Sequence, residues 1–227
     1  MQLIKKDGIF IFWVVLFVHC GFIYFGKTEY RHITKLLLIP ILFLYLVQNA
    51  KKGSYPNSKL IIYAGLIFSF LGDLFLIYTG TGFFIAGMVA FMLTHICYTT
   101  FFLKAGNIQF KKATEFFIAA ILVTVLSIKL LQFLKPYLGN MEIPVKIYMA
   151  AICIMSASAA NLLGNKMMKI IATTCFVPGA ALFVLSDSVL ALNQFLYKDP
   201  FLDIVVMLSY GYAQCLLVQG FAKYLKV

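Results

Sequence analysis

Two carboxyl groups stand where a lipid-soluble segment is expected to carry none. Asp73 interrupts the apolar run 69–77, and Asp187 the run 182–192. A charged side chain at the centre of a bilayer costs about 2.5–3.5 kcal/mol or more, so acids in such places mark proton or ion chemistry by default. The competing reading is an interhelical hydrogen-bond or ion-pair anchor. Both acids follow a small residue and precede a leucine by three: Gly72-Asp73 before Leu76, and Ser186-Asp187 before Leu190. That echo suggests one shared acid–base site.

Helical spacing puts further polar groups on definable faces. Gly65, Ser69 and Asp73 fall at i, i+4, i+8, a small-residue stripe ending in the acid. Gly87, Phe91, His95, Tyr98 and Phe102 share a face of the following segment. Asp187 aligns with Gly179, Phe183, Leu190 and Gln194, with Ser186 and Asn193 beside them. Asp203, Met207, Tyr210 and Gln214 form the last face, and Lys35 lies at a depth where it can neutralise an aspartate. The plainer alternatives are a packing histidine at His95, interhelical hydrogen bonds from Tyr98, Tyr210 and Gln214, and a lysine snorkelling to the interface at Lys35. His19 reads as a lone core histidine and His32 as a loop residue.

The elements that must hold these residues are transmembrane helices. Of 227 residues, 63% are apolar and 12% charged, and the mean hydropathy is +0.95; soluble domains run near 45–50% and 25%. Runs of about 20 apolar residues suit a bilayer, and about eight occur: 9–25, 33–48, 59–78, 82–103, 113–133, 143–163, 170–195 and 201–224. Because backbone groups in lipid need internal partners, an all-α polytopic membrane bundle is expected. It forms a single domain over 1–227, with a hint of two four-helix halves, 1–104 and 105–227. Pro40 is expected to tilt or kink the second segment, and Thr79-Gly-Thr-Gly82 to make a tight hairpin. With the N-terminus inside, seven of the nineteen basic residues (Lys27, Arg31, Lys35, Lys129, Lys135, Lys146, Lys198) fall outside and the remaining twelve inside. That bias puts both termini in the cytoplasm. Asp73 and Asp187 then lie on parallel helices in the outer half of the membrane, at depths differing by some 5 Å.

Several chemistries are excluded. There is no HExxH, GxSxG or P-loop, and the three histidines lack ligand spacing, so neither metal nor other cofactor is implied. The net charge of +11 is scattered between apolar runs rather than interleaved with aromatics. It therefore speaks for membrane lipids, not nucleic acid. Five cysteines without a CxxC suggest no disulfide framework. The basic start followed by an apolar run imitates a signal peptide, but Phe17-Val-His-Cys20 is a poor cleavage site, and the segment reads as a retained helix.

At these residues the chain resembles the YhhN-like lysoplasmalogenase family. The resemblance rests on Gly72-Asp-Leu-Phe-Leu76 followed by Gly87, Phe91, His95 and Tyr98; on Pro178-Gly-Ala-Ala-Leu-Phe-Val-Leu-Ser-Asp-Ser-Val-Leu-Ala191; and on Ser209-Tyr-Gly-Tyr-Ala-Gln214. Thr34-Lys35 also fits, although the family's proline after the lysine is Leu36 here and a proline comes only at Pro40.

The resemblance implies hydrolysis of the vinyl-ether bond of a lysoplasmalogen to a fatty aldehyde and glycerophosphoethanolamine or glycerophosphocholine. It places the family's catalytic aspartates on Asp73 and Asp187. Such hydrolysis begins with a proton delivered to the β-carbon, and an oxocarbenium ion is then captured by water. One carboxylic acid and one carboxylate suit that sequence, as in glycosidases; the residues do not say which aspartate is which. Lys35 either answers a carboxylate or meets the lipid phosphate, and His95, Tyr98 or Tyr210 orients water. The rival functional reading is a proton-coupled transporter or flippase using the same acids. Of the nineteen basic residues only Arg31 is arginine, a bias of AT-rich genomes that points to a bacterial inner membrane.

Overall fold

The computed structural model describes residues 2–51, 55–106 and 114–226, and no strand occurs among them. The helices are α1 (Gln2–Tyr24), α2 (Thr28–Asn49), α3 (Pro56–Phe75), α4 (Thr81–Ala105), α5 (Thr114–Leu138), α6 (Glu142–Asn161), α7 (Lys169–Tyr197) and α8 (Pro200–Lys226). Seven continuous helical runs among the described residues are long and apolar enough to cross a membrane. The longest, Thr114–Gly164, has 51 residues, or about 77 Å of helix at about 1.5 Å per residue, more than twice a hydrocarbon core. It doubles back at Gly139, whose φ of +49° is the left-handed conformation glycine adopts freely. Ser127 of α5 meets Cys153 of α6 at 3.3 Å, and the two lie symmetrically about that turn. The seven runs therefore supply eight passes, and the protein is a multi-pass membrane protein. Large apolar side chains such as Ile121, Leu122 and Val125 of α5 point outward, where lipid replaces water.

One expectation changes. The second helix begins at Thr28 rather than 33, so His32 sits on a helical turn and not in a loop. Pro40 lies inside that helix. In its first turns the charge of Arg31 is answered by Asp203 of α8 at 2.8 Å. Lys52, Lys111 and Lys112, which enter the charge count, lie outside the described residues.

Packing gathers on α8, which lies against α1, α2 and α7, while α3 pairs with α4 and α4 with α6. Glycines set the closest approach of α3 and α4. A Cβ on Gly72 would stand 2.7 Å from the Phe91 ring, and one on Gly65 would stand 2.6 Å from Tyr98. Between them Thr94 donates to the Gly65 carbonyl at 3.1 Å. The hairpin joining α3 to α4 turns at Gly80, φ +116°. Helix α7 is wider than a regular α-helix at Ala172–Phe176 and Asn193–Tyr197. The first widening precedes Pro178, which has no N–H and whose ring would crowd the carbonyl four residues back. Asp199 caps α8 by accepting from Phe201 N–H at 2.9 Å, and Pro200 takes its first position.

The turns α1–α2, α3–α4, α5–α6 and α7–α8 all lie at one end of the bundle, because consecutive helices run antiparallel. The candidate site is built towards that end.

Candidate functional site

Asp187 hangs from the regular middle of α7. Tyr148 of α6 donates its hydroxyl to Asp187 Oδ2 at 2.5 Å. The Tyr148 hydroxyl also lies 3.0 Å from His95 Nε2, so with its one proton given to Asp187 it accepts from the imidazole tautomer protonated on Nε2. His95 Nε2 also lies 3.5 Å from Asp187 Oδ2, while the buried His95 Nδ1 has no hydrogen-bond partner among the described residues. Asp187 Oδ1 likewise accepts no hydrogen bond among them. The carboxyl lines a cavity between α4, α5, α6 and α7 whose walls are mainly Leu76, Phe84, Met88, Phe91, Leu130 and Ile152. Tyr148 is a participant that sequence reasoning missed. Its only signal is register: Val145, Tyr148, Ile152 and Met155 share one face of α6, which makes Tyr148 the hydroxyl on an inward apolar stripe.

Asp73 sits at the end of α3 and is nearly sealed, with its side chain 3% exposed. Tyr210 of α8 donates to its Oδ2 at 2.7 Å, and Lys35 Nζ of α2 stands 3.7 Å from Oδ1. Behind Tyr210 runs a directed chain. Tyr98 donates to Gln214 Oε1 at 3.2 Å, and Gln214 Nε2 donates to Ser69 Oγ at 2.7 Å. Ser69 lies 2.8 Å from the Tyr210 hydroxyl. Because Tyr210 spends its proton on Asp73, Ser69 is the donor in that last pair. Every link thus points its hydrogen at Asp73, an arrangement that suits an accepting carboxylate.

The two clusters meet across one ring. Phe183 packs edge-on against His95 at 4.9 Å and against Tyr210 at 5.6 Å, centroid to centroid. On α8, Ser186 beside Asp187 donates to the Val206 carbonyl at 3.1 Å, and Asp73 receives Tyr210. These anchor points are one helical turn apart, about 6 Å.

The remaining candidates are placed elsewhere. Ser186 is engaged by that backbone carbonyl. Asn193 staples the turn from α7 to α8, donating to Asp199 O at 3.0 Å and Asp203 Oδ1 at 2.7 Å and accepting from Asp199 N–H at 2.7 Å. His19 is buried and lies 2.9 Å from the Thr34 hydroxyl, within the core. Lys35 lines a second cavity, bounded by the start of α2, the α3–α4 turn and Gln194. Asp73 lines neither cavity.

A sequence model described as the YhhN family matches residues 30–221. A Bos taurus protein named Lysoplasmalogenase TMEM86A is 32% identical over 163 residues, covering 69% of this chain and 62% of that protein. The Homo sapiens protein of the same name is 32% identical over 162 residues, with the same shares covered. A Mycobacterium bovis protein named Lysoplasmalogenase is 30% identical over 140 residues, 61% of this chain and 51% of its own length. The matches thus span between about half and three-fifths of those relatives. No solved structure matches the chain.

Proposed function

The chain belongs to the YhhN family, and from that membership we propose that it is a lysoplasmalogenase-like hydrolase with Asp187 and Asp73 as its acid and base. The substrate class comes from the names of the relatives. The chemical assignment draws its main support from one observation: Asp187 lines a mainly apolar cavity, the surroundings an alkenyl chain requires.

In this reading the vinyl ether lies with its β-carbon against Asp187 Oδ1. The carboxylic acid transfers its proton to that carbon, and the positive charge gathers on the α-carbon and the ether oxygen. Tyr148 holds the carboxyl in place throughout and its hydrogen bond strengthens as the carboxylate forms. A water oxygen then bonds to the α-carbon, and its proton reaches Asp73 by way of Lys35, which lines the neighbouring cavity and stands 3.7 Å from Asp73 Oδ1. As the hemiacetal collapses, its hydroxyl proton moves to the departing glycerol oxygen to leave the aldehyde, and the proton taken up by Asp73 returns to Asp187. One water is consumed and no cofactor takes part. Glycosidases divide two carboxyls around an oxocarbenium ion in the same way. The lysine bias orients the site end of the bundle away from the cytoplasm, and a bacterial inner membrane is the proposed address.

Aldehyde release from a lysoplasmalogen by detergent-purified protein tests the reading. Asp187→Asn is expected to abolish release while the protein remains folded by thermal unfolding. Full activity in both Asp187→Asn and Asp73→Asn would dispose of the two-acid mechanism.

A further inference from the structure

The second cavity differs in kind from the first. Its polar lining includes Thr28, Arg31, His32 and Lys35 of α2, Tyr78 and Thr79 of the α3–α4 turn, and Gln194 of α7. Two cations face it, and no carboxylate is among the lining residues. Asp73 and Asp203, which pair with those cations, approach from outside it. Neither pairing exhausts the donors. Lys35 Nζ stands 3.7 Å from Asp73 and makes no hydrogen bond among the described residues, although its side chain is only 14% exposed. Arg31 bonds Asp203 through one nitrogen, Nη2, at 2.8 Å, leaving the rest of a five-donor fork.

We propose that this cavity binds the phosphodiester head of the lipid, with Arg31 and Lys35 as the anion-binding residues and His32 and Gln194 as hydrogen-bonding neighbours. The inference rests on the lysolipid reading for its source of phosphate. The two cavities share Leu76 and Phe84 as a common wall. A single-chain phospholipid therefore lays its head on one side of that wall and its chain on the other, with the ether linkage at the junction, beside Asp187. The same geometry explains why Asp73 is tied to Lys35. The cation that meets the phosphate also meets the acid, so head-group binding and the charge on Asp73 are coupled through one ammonium.

The experiment measures binding rather than turnover, so it does not depend on hydrolysis. Detergent-purified full-length protein is titrated with a saturated-ether lysophosphoethanolamine, which has no vinyl ether to cleave, and with the phosphate-free alkylglycerol of equal chain length. The phospholipid is expected to bind at least tenfold more tightly. Arg31→Gln should remove about tenfold of that preference, and Arg31→Lys should restore part of it, with alkylglycerol affinity serving as the control for folding. Equal affinity for the two lipids in the native protein, or a preference untouched by Arg31→Gln, would overturn the proposal. Inorganic phosphate binding as tightly as the phospholipid would overturn the lipid head as the source. Preferential phospholipid binding without any aldehyde release would leave the head-group site standing and remove the hydrolase reading.

Discussion

The hydroxyl of Tyr148 donates to Oδ2 of Asp187, and both residues line the same mainly apolar cavity. Tyr148→Phe keeps the ring and removes the donor. A hydrogen bond to a charged acceptor is worth about 1.5–3 kcal/mol, so aldehyde release should fall roughly ten- to hundredfold with little change in thermal unfolding. Wild-type kcat in Tyr148→Phe would show that this bond has no part in the chemistry.

Lys35 and Asp73 are coupled charges in a nearly sealed site. Removing one member of a buried pair typically costs about 3–5 kcal/mol because the other is left uncompensated. Lys35→Met and Asp73→Asn should each lower the unfolding midpoint in detergent, and the double variant should recover much of the loss. Strictly additive losses would argue against coupling.

The chain of donors ending at Asp73 makes a stability prediction of its own. Gln214→Leu leaves the Tyr98 hydroxyl without its acceptor and Ser69 without its donor, costing about 1–3 kcal/mol for the stranded groups. Adding Tyr98→Phe removes one stranded group, so the double variant should be more stable than Gln214→Leu alone. Unfolding midpoints of the three proteins decide it.

Gly72 is a packing limit between α3 and α4. A methyl group there would sit 2.7 Å from the Phe91 ring, and Phe91 lines the apolar cavity. Gly72→Ala should therefore destabilise by about 1–3 kcal/mol and lower activity as the ring is displaced. Gly82→Ala is the matched control, since nothing lies within 4 Å of its added carbon. Equal stability of the two variants would contradict the close approach.

Composition and run length were enough for the membrane class and the helical passes, because a bilayer admits few backbone solutions. The count needed one correction of form, with a 51-residue run folding at Gly139. The two acids stood out by their cost in lipid, and Lys35, His95, Tyr98, Tyr210 and Gln214 by their spacing. The structure brings all five into the two acid clusters, whereas Ser186 and Asn193 share a face with Asp187 yet serve a carbonyl and a turn. Tyr148 escaped notice because a tyrosine in an apolar helix carries no excess charge, and thirteen tyrosines are present.

What the sequence determined alone is therefore the solvent, the helices, and which residues are costly to place in lipid. Its spacing fixes the rotation of a side chain about its own helix. It does not say which neighbouring helix that side chain faces, since helices distant in sequence choose partners through packing. Only the tertiary structure assigned Tyr148 and His95 to Asp187, the Tyr98–Gln214–Ser69–Tyr210 chain and Lys35 to Asp73, and Arg31 to Asp203. Only it divided the surroundings into an apolar cavity beside Asp187 and a cationic one beside Lys35.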